Sequence, residues 1–183
     1  MGLLNKTKCY QVGPMEYNEN GNDWRKVVEA RLAPRGVKLF NPYEKPFMEG
    51  LGFDLCETKE VQSRIIQLRQ EEKYDEVAKI MRPVRSFDLA MVDKVDFIIA
   101  RLSNLEYTCG TWEELFTANK SKKACYVAFM QGKKKCPLWL LGTIPHEYIF
   151  DSVEDILVEI EKIDDGFSPP DPRRWRLLKE EWR

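Results

Sequence analysis

The chain of 183 residues contains a single histidine, His146. A metal site built from several histidines is therefore excluded, and catalysis by a Ser-His-Asp triad is disfavoured. No run of apolar residues is long enough for a transmembrane helix, and no signal peptide is visible. The net charge is only −1, so no overall electric field favours binding to polymeric nucleic acid or to a membrane surface.

The number and spacing of the cysteines indicate the cellular compartment. The five cysteines are odd in number, and no pair has the spacing of a metal site or a redox motif. We therefore expect reduced thiols and a cytoplasmic location. With 43% hydrophobic and 32% charged residues, the composition is ordinary for a globular protein, and the length is enough to bury a substantial core.

Strand-like and helix-like segments alternate along the chain. Short apolar runs predict strands at 8–15, 37–40, 97–102 and 124–130. Apolar residues at helical spacing predict helices at 24–31, 87–95, 112–121 and 153–163, the last capped by Asp151 or Ser152. The alternation predicts an α/β fold: a doubly wound, flavodoxin- or Rossmann-like parallel sheet with helices on both faces.

The predicted domain covers residues 1–167, and a C-terminal tail covers 168–183. A charged helical insertion is predicted at about 44–81. Pro83 is expected to break it, because proline lacks the backbone N–H that an interior helical position uses. The apolar run 138–141 is expected to be another buried piece of the domain.

The most informative segment, 108–115, reads Thr-Cys-Gly-Thr-Trp-Glu-Glu-Leu and joins a predicted strand to a predicted helix. A turn at Gly110 would place Glu113 and Glu114 in the first helical turn, beyond the carboxyl end of the strand. Ligands bind at that edge of open α/β sheets. Adjacent helical residues point about 100° apart, so only one glutamate can face the cleft. The alternative is a pair of solvated acids at a helix N-terminus.

Two other segments carry candidate side chains. Tyr10 lies in the first predicted strand, just ahead of Gly13 and Pro14, whose turn would free the strand's end for a ligand. A core tyrosine is an equally good interpretation. Asp88 lies on a predicted helix, eight residues before Asp96. By pattern alone, Asp88 fits an acid near a positive helix end, and Asp96 fits a cap or turn residue.

Together these segments resemble the nucleoside 2-deoxyribosyltransferase family, which includes the related deoxynucleoside monophosphate N-glycosidases. The matching residues keep their order over residues 8–130: Tyr-x-x-Gly-Pro at 10–14, Trp24-Arg25, Asp88 with Asp96, Gly-Thr-x-x-Glu at 110–114, and Ala118 one turn on.

The resemblance implies cleavage of an N-glycosidic bond. Glu114 would attack the anomeric carbon, Asp88 would assist departure of the nucleobase, and Tyr10 would orient the nucleophile. This chemistry is reasonable, because bond cleavage builds positive charge on the sugar and a carboxylate stabilises that charge or bonds to it, as in retaining glycosidases. The substrate-binding positions implied by the resemblance are Gly13, Pro14, Trp24, Arg25, Thr108, Gly110 and Thr111.

The chain departs from the family pattern at Thr108, and this departure bears on whether the reaction is transfer or hydrolysis. Family transferases carry an aspartate at the position of Thr108, whereas the nucleotide-hydrolysing relatives have a hydroxyl residue there that helps to hold phosphate. However, Glu16 stands after the Gly-Pro turn, where those relatives place a serine and an arginine, and its charge would repel a phosphate. Transfer of a deoxyribosyl group to another base is the first choice, and hydrolysis of a nucleoside 5′-monophosphate is the alternative. A non-catalytic nucleotide-binding module is the alternative from another class.

The expected partners follow from the same resemblance. It implies a small nucleoside or nucleotide substrate, no metal or organic cofactor, and a homo-oligomer in which a neighbouring subunit helps to close the active site. The polar tail carries Trp175 and Trp182, which need a surface to bury them. Because tryptophan is enriched at interfaces, we expect the tail to contribute to assembly.

Overall fold

The structure, a computed structural model, describes residues 2–14, 22–42, 59–106 and 109–175. Its sheet has five strands in the order β2-β1-β3-β4-β5. The strands are β1 (Lys8–Val12), β2 (Lys38–Phe40), β3 (Phe97–Leu102), β4 (Ala124–Phe129) and β5 (Ile149–Phe150). Every neighbouring pair is parallel. The predicted doubly wound α/β fold is therefore confirmed.

Six α-helices connect and cover the strands of the described chain. They are α1 (Asp23–Leu32), α2 (Lys59–Gln70), α3 (Tyr74–Lys94), α4 (Cys109–Lys120), α5 (Leu138–Thr143) and α6 (Val153–Asp164). Two of their ends have the expected local chemistry. A short 3₁₀ helix, Ala33–Arg35, continues α1, and Gly36 ends it with a φ of 82°, which favours glycine. Ser152 caps α6 by accepting a hydrogen bond from the backbone N–H of Asp155 at 3.1 Å.

The sheet separates two hydrophobic cores, because alternate residues of a strand point to opposite faces. Ile98 and Ala100 of β3 pack on the face that carries Tyr10 and residues of α3 and α4. Phe97 and Ile99 pack on the other face with residues of α1 and α6. Since helices cover both faces, β4 is buried at all of its positions. Tyr10 therefore shares a sheet face with α3 and α4.

The expected break at Pro83 is wrong, because α3 runs through Pro83 without interruption. A proline inside a helix costs roughly 3 kcal/mol. Packing of Val84, Met91 and Val92 against the domain offsets that cost. The described part of the predicted insertion, 59–81, consists of α2, a short turn at 71–73 and the first part of α3. Residues 44–58 of that insertion lie outside the described residues.

The expectation of a buried segment at 138–141 is also wrong. These residues form the short helix α5, in which Leu140 is buried while Leu138 and Trp139 are 86% and 79% exposed. A short helix at the surface can bury only one side against the domain. The short strand β5 follows it and was not predicted, since two residues carry no periodic pattern.

In the described part of the tail, 168–175, Trp175 belongs to the hydrophobic core of the domain. Trp175 is only 2% exposed, and its ring lies 4.8 Å from that of Phe97. Its Nε1 donates a hydrogen bond to the Tyr126 hydroxyl at 3.1 Å. Trp175 is therefore buried against its own chain, although we expected it to be buried in an assembly. Trp182 lies outside the described residues. Across the described ranges, no helix has the length and apolar character needed to cross a membrane.

Candidate active site

The strand order places a crevice between β1 and β3. The chain connects in opposite directions from these two neighbouring strands, to β2 on one side and to β4 on the other. At such a switch point the loops diverge, and ligands bind at the carboxyl ends of the strands. Gly13 and Pro14 follow β1 at this edge, and residues 103–106 follow β3. Thr108 and Glu16 lie outside the described residues.

Tyr10 and Glu114 meet beside this crevice. The Tyr10 hydroxyl donates a hydrogen bond to Glu114 Oε1 at 2.9 Å. Tyr10 is 1% exposed and Glu114 is 9% exposed, so the bond is shielded from water. It joins β1 to α4 across 104 residues of sequence. A carboxylate is thus held in one orientation on the face of the sheet that carries α3 and α4.

Helix α4 begins earlier than predicted. Cys109 is its first residue, so Gly110 lies within the first turn and does not form a turn ahead of the helix. Glu113 and Glu114 are therefore beyond the first turn, which contains no acidic residue. The interpretation of Glu114 as a solvated acid at a helix N-terminus is wrong, because it is buried and bonded to Tyr10.

The expectation that only one glutamate faces inward is confirmed. Glu113 points outward and forms a bidentate ion pair with Arg85 of α3. This guanidinium lowers the pKa of the Glu113 carboxyl. Glu113 is therefore held as a surface carboxylate facing a cation, while Glu114 faces Tyr10. The pair also joins α3 to α4 close to the positions of Asp88 and Glu114 on those helices.

Tyr10 interacts electrostatically with both Glu114 and Asp88. Burial raises the pKa of the Tyr10 hydroxyl well above its usual range, and the negative charges of Glu114 and Asp88 raise it further. Tyr10 therefore keeps its proton throughout the neutral and moderately alkaline range and remains a donor to Glu114. The positive charge of Arg25 acts in the opposite direction and lowers the Tyr10 pKa.

Asp88 lies in the interior of α3, away from the helix's amino end. The alternative that it interacts with a positive helix end is therefore wrong. Its side chain is partly buried, and the Oδ1 atom is inaccessible to solvent. Asp96, by contrast, accepts a hydrogen bond from the Lys8 backbone N–H at 2.7 Å at the amino end of β1. Asp96 is thus a structural residue at the opposite edge of the sheet, as expected.

The residues that follow β1 pack closely against the first turn of α1. A Cβ added to Gly13 would lie 3.0 Å from Trp24 Cζ2 and 3.3 Å from Arg25 Nη2, so only glycine fits without displacing these groups. Pro14 and Arg25 are buried, and Trp24 is partly buried. Trp24 Nε1 is a buried donor that has no hydrogen-bond partner within the described ranges.

The two predicted positions at the start of α4 differ in environment. Thr111 is buried, whereas Gly110 is exposed and has open space where a side chain would stand. A ligand could approach the backbone closely at Gly110. Within the described ranges, no three His, Cys, Asp or Glu side chains are grouped so that they could hold a metal ion.

Gln11 and Arg85 also belong to this region and were not predicted from the sequence. Gln11 is buried in β1, and its Nε2 donates to the backbone oxygen of Arg25 at 3.1 Å. The sequence did contain a signal for Gln11, because it is an uncharged polar residue among the apolar residues of a predicted strand. A buried amide needs a specific hydrogen-bond partner. Arg85 had no comparable signal, since a charged residue on a helix is ordinarily solvated.

Comparison with known proteins supports the fold. No model of a protein family and no curated protein matches the chain. Among solved structures, 2-desoxiribosyltransferase from Leishmania mexicana matches with a TM-score of 0.53 and 18% identity, over 84% of this chain and 96% of that one. The 2-deoxyribosyltransferase from Bacillus psychrosaccharolyticus matches with a TM-score of 0.54 and 18% identity, over 82% and 90% of the two chains.

A third matched structure is the CMP N-glycosidase of Clostridium botulinum. Its TM-score is lower, 0.45 at 13% identity, over 84% of this chain and 98% of that one. The two deoxyribosyltransferases show that the chain has their α/β fold across most of its length. The resemblance inferred from the sequence motifs is thus supported at the level of fold.

Proposed function

We propose that the protein is an enzyme that cleaves the N-glycosidic bond of a deoxynucleoside or nucleotide and transfers the deoxyribosyl group to another nucleobase. The observation that carries this proposal is the buried hydrogen bond from Tyr10 to Glu114 at the switch point of the sheet. Two matched structures are named as deoxyribosyltransferases, which adds support from the fold.

The first half of the reaction uses Glu114 and Asp88. A Glu114 carboxylate oxygen attacks the anomeric carbon of the sugar and forms an ester bond, while the bond from that carbon to the base nitrogen breaks. The electron pair of the broken bond goes to the base, and Asp88, which must enter the step in its protonated form, supplies the proton that neutralises the base and becomes a carboxylate. Tyr10 donates to Glu114 throughout and holds its carboxylate in one orientation. These are the roles of the two carboxyl groups in retaining glycosidases.

The second half reverses these steps with a new base. A nitrogen of the acceptor base attacks the same carbon, the ester bond to Glu114 breaks, and the Asp88 carboxylate takes up the proton released by the acceptor. If water attacks instead, the ester bond to Glu114 breaks, the Asp88 carboxylate takes up a proton of the water, and the reaction is hydrolysis. Its product is the free sugar, or the sugar phosphate when the substrate is a 5′-monophosphate. The hydroxyl of Thr108 favours hydrolysis of a 5′-monophosphate, and the charge of Glu16 disfavours it, although both lie outside the described residues.

The proposal is tested by incubating the purified protein with a panel of ribo- and deoxyribonucleosides and their 5′-monophosphates, each with and without a free acceptor base. Chromatography should show a new nucleoside only when the acceptor is present. Release of free base from a 5′-monophosphate at the same rate without an acceptor would support the hydrolase alternative. Ligand binding without any turnover across the panel would support a non-catalytic binding module.

We also propose that the protein is a homo-oligomer and that α5 contributes to its interface. The resemblance implies such an assembly, and Leu138 and Trp139 are large apolar side chains left exposed by the fold. A Leu138→Ser/Trp139→Ser double variant should shift the mass measured by light scattering at micromolar concentration towards the monomer. Phe167→Ser is a matched control, because Phe167 is also exposed but lies after α6.

A monomeric wild-type protein under these conditions would contradict the proposed assembly. An assembly that persists in the double variant would instead contradict the part assigned to α5.

A further inference from the structure

We propose that Arg25 is a positioning residue that fixes the turn after β1 from within the protein and does not contact the substrate. This inference rests on the proposed function, since it concerns the same crevice. It differs from what the family resemblance implies, which is direct substrate binding by Arg25. The distinction matters because the two roles predict different kinetics for the same substitution.

The burial of Arg25 is the first reason. The residue is 0% exposed, although arginine is rarely buried without partners. Its guanidinium donates to the Gly13 backbone oxygen at 3.1 Å and to the Gln11 backbone oxygen at 3.4 Å. It also lies over the Trp24 ring, 4.6 Å from the ring centroid. The guanidinium is thus directed at protein groups on β1 and α1.

Gln11 completes a reciprocal connection between the two elements. The Arg25 side chain donates to the Gln11 backbone, and the Gln11 side chain donates to the Arg25 backbone at 3.1 Å. Both residues are buried, so breaking either bond would leave a polar group without water. The carboxyl end of β1 is therefore held to the first turn of α1 by side chains from both.

The surroundings of Gly13 show how closely the turn after β1 packs against the side chains of α1. The space around its Cα is occupied by Trp24, Arg25 and the backbone oxygen of Arg101, all within 3.4 Å of the position that a Cβ would occupy. The turn formed by Gly13 and Pro14 borders the crevice, whereas Arg25 lies behind it. Loss of the guanidinium would free the Gly13 carbonyl and enlarge the space behind the turn. The surface that meets the substrate would then be less well ordered.

The contacts that hold Tyr10 in position do not involve Arg25, whose charge acts on the Tyr10 pKa. Its backbone pairs with Phe40 of β2 and Ile98 of β3, and its hydroxyl bonds to Glu114. Loss of Arg25 should therefore weaken substrate binding more than the chemical step. Loss of the Tyr10 hydroxyl should have the opposite effect, because that group acts on the nucleophile.

The test measures kcat and KM for the best nucleoside of the panel and for its 5′-monophosphate. Arg25→Met should raise KM about tenfold for both substrates by the same factor, with kcat changed by less than about threefold. Arg25→Lys should fall between Arg25→Met and the wild type, because an ammonium can retain one carbonyl partner. Tyr10→Phe should lower kcat by about tenfold to a hundredfold with little change in KM, as expected for a hydrogen bond to a charged group.

Two further variants separate positioning from charge and from general instability. Gly13→Ala leaves the charge of Arg25 in place but crowds its guanidinium, and it should raise KM in the same way. Arg31→Met removes another arginine of α1, one that pairs with Glu161 of α6 away from the crevice, and it should leave KM unchanged.

Three kinetic results would overturn the proposal. One is a loss confined to the 5′-monophosphate, which would make Arg25 a phosphate contact. Another is a loss in kcat with KM unchanged, and the third is wild-type kinetics in folded Arg25→Met. If Arg25→Met does not fold, KM and kcat of Arg25→Lys and Gly13→Ala are compared with those of the wild type instead.

Hydrogen exchange keeps this inference separate from the proposed function. In Arg25→Lys and Arg25→Met, amides of residues 8–14 and 22–25 should exchange faster than in the wild type, while those of α6 should be unchanged. This holds even if the wild type turns over no member of the panel, in which case the proposed function fails but positioning is still tested. Unchanged exchange at 8–14 and 22–25 would refute the positioning role.

Discussion

Replacing Glu114 by alanine should abolish turnover, with kcat reduced by more than about 10³-fold, because a missing nucleophile cannot form the sugar ester. The fold should survive, since Glu114 is at the edge of the core and its partner is the Tyr10 hydroxyl. A 2-fluoro analogue of the substrate should trap the ester on the wild-type protein. Mass spectrometry of the digested protein should then locate the added sugar on Glu114.

Glu113→Ala is the matched control for this prediction. Glu113 is adjacent in sequence and has the same chemistry, but its partner is the exposed Arg85. A surface ion pair contributes little to stability, so this variant should keep most of the activity. Comparable losses in the two variants, or a fully active Glu114→Ala, would show that Glu114 is not the nucleophile.

The elements that were predicted well from the sequence have strong local signals. The strands β3 and β4 are continuous apolar runs because both of their faces are covered, and α6 combines a regular apolar face with a serine cap. Gly36 ends the α1 segment in a conformation that glycine prefers. In each of these cases the local preference and the final packing agree.

The elements predicted wrongly are those in which packing overrides local preference. Pro83 opposes a helix, but the long apolar face of α3 lies against the domain and carries the helix through that residue. The two tryptophans show the same point. Trp139 lies in an apolar run and is exposed, whereas Trp175 lies in a polar tail and is buried against Phe97. Neither outcome can be derived from neighbouring residues alone.

The candidate site, like the fold, was predicted from the sequence only in part. The rule that loops at the carboxyl ends of strands bind ligands placed the Gly13-Pro14 turn and the start of α4 at one edge. The bond between Tyr10 and Glu114 depends on the register of β1 and the rotation of α4, which the family resemblance implied and composition did not. The bonds from Arg25 to backbone carbonyls carry no sequence signal, because a carbonyl is present at every residue.

Replacing Asp88 by asparagine should lower the rate on natural nucleosides by about 10²–10⁴-fold, the range for loss of a general acid. Asparagine has nearly the same shape, so the partly buried position in α3 should remain folded. Asp93→Asn is the matched control, because Asp93 lies on the same helix and is exposed. It should have wild-type activity.

The leaving group decides whether Asp88 acts as the acid. A base that departs readily without protonation does not need a proton from the enzyme, so Asp88→Asn should lose much less activity on such a substrate than on a natural nucleoside. Attack by Glu114 is the same for both substrates, and its contribution cancels in the comparison. An equal loss on the two substrates would mean that Asp88 binds the base or supports the fold, and proton delivery would have to come from another group.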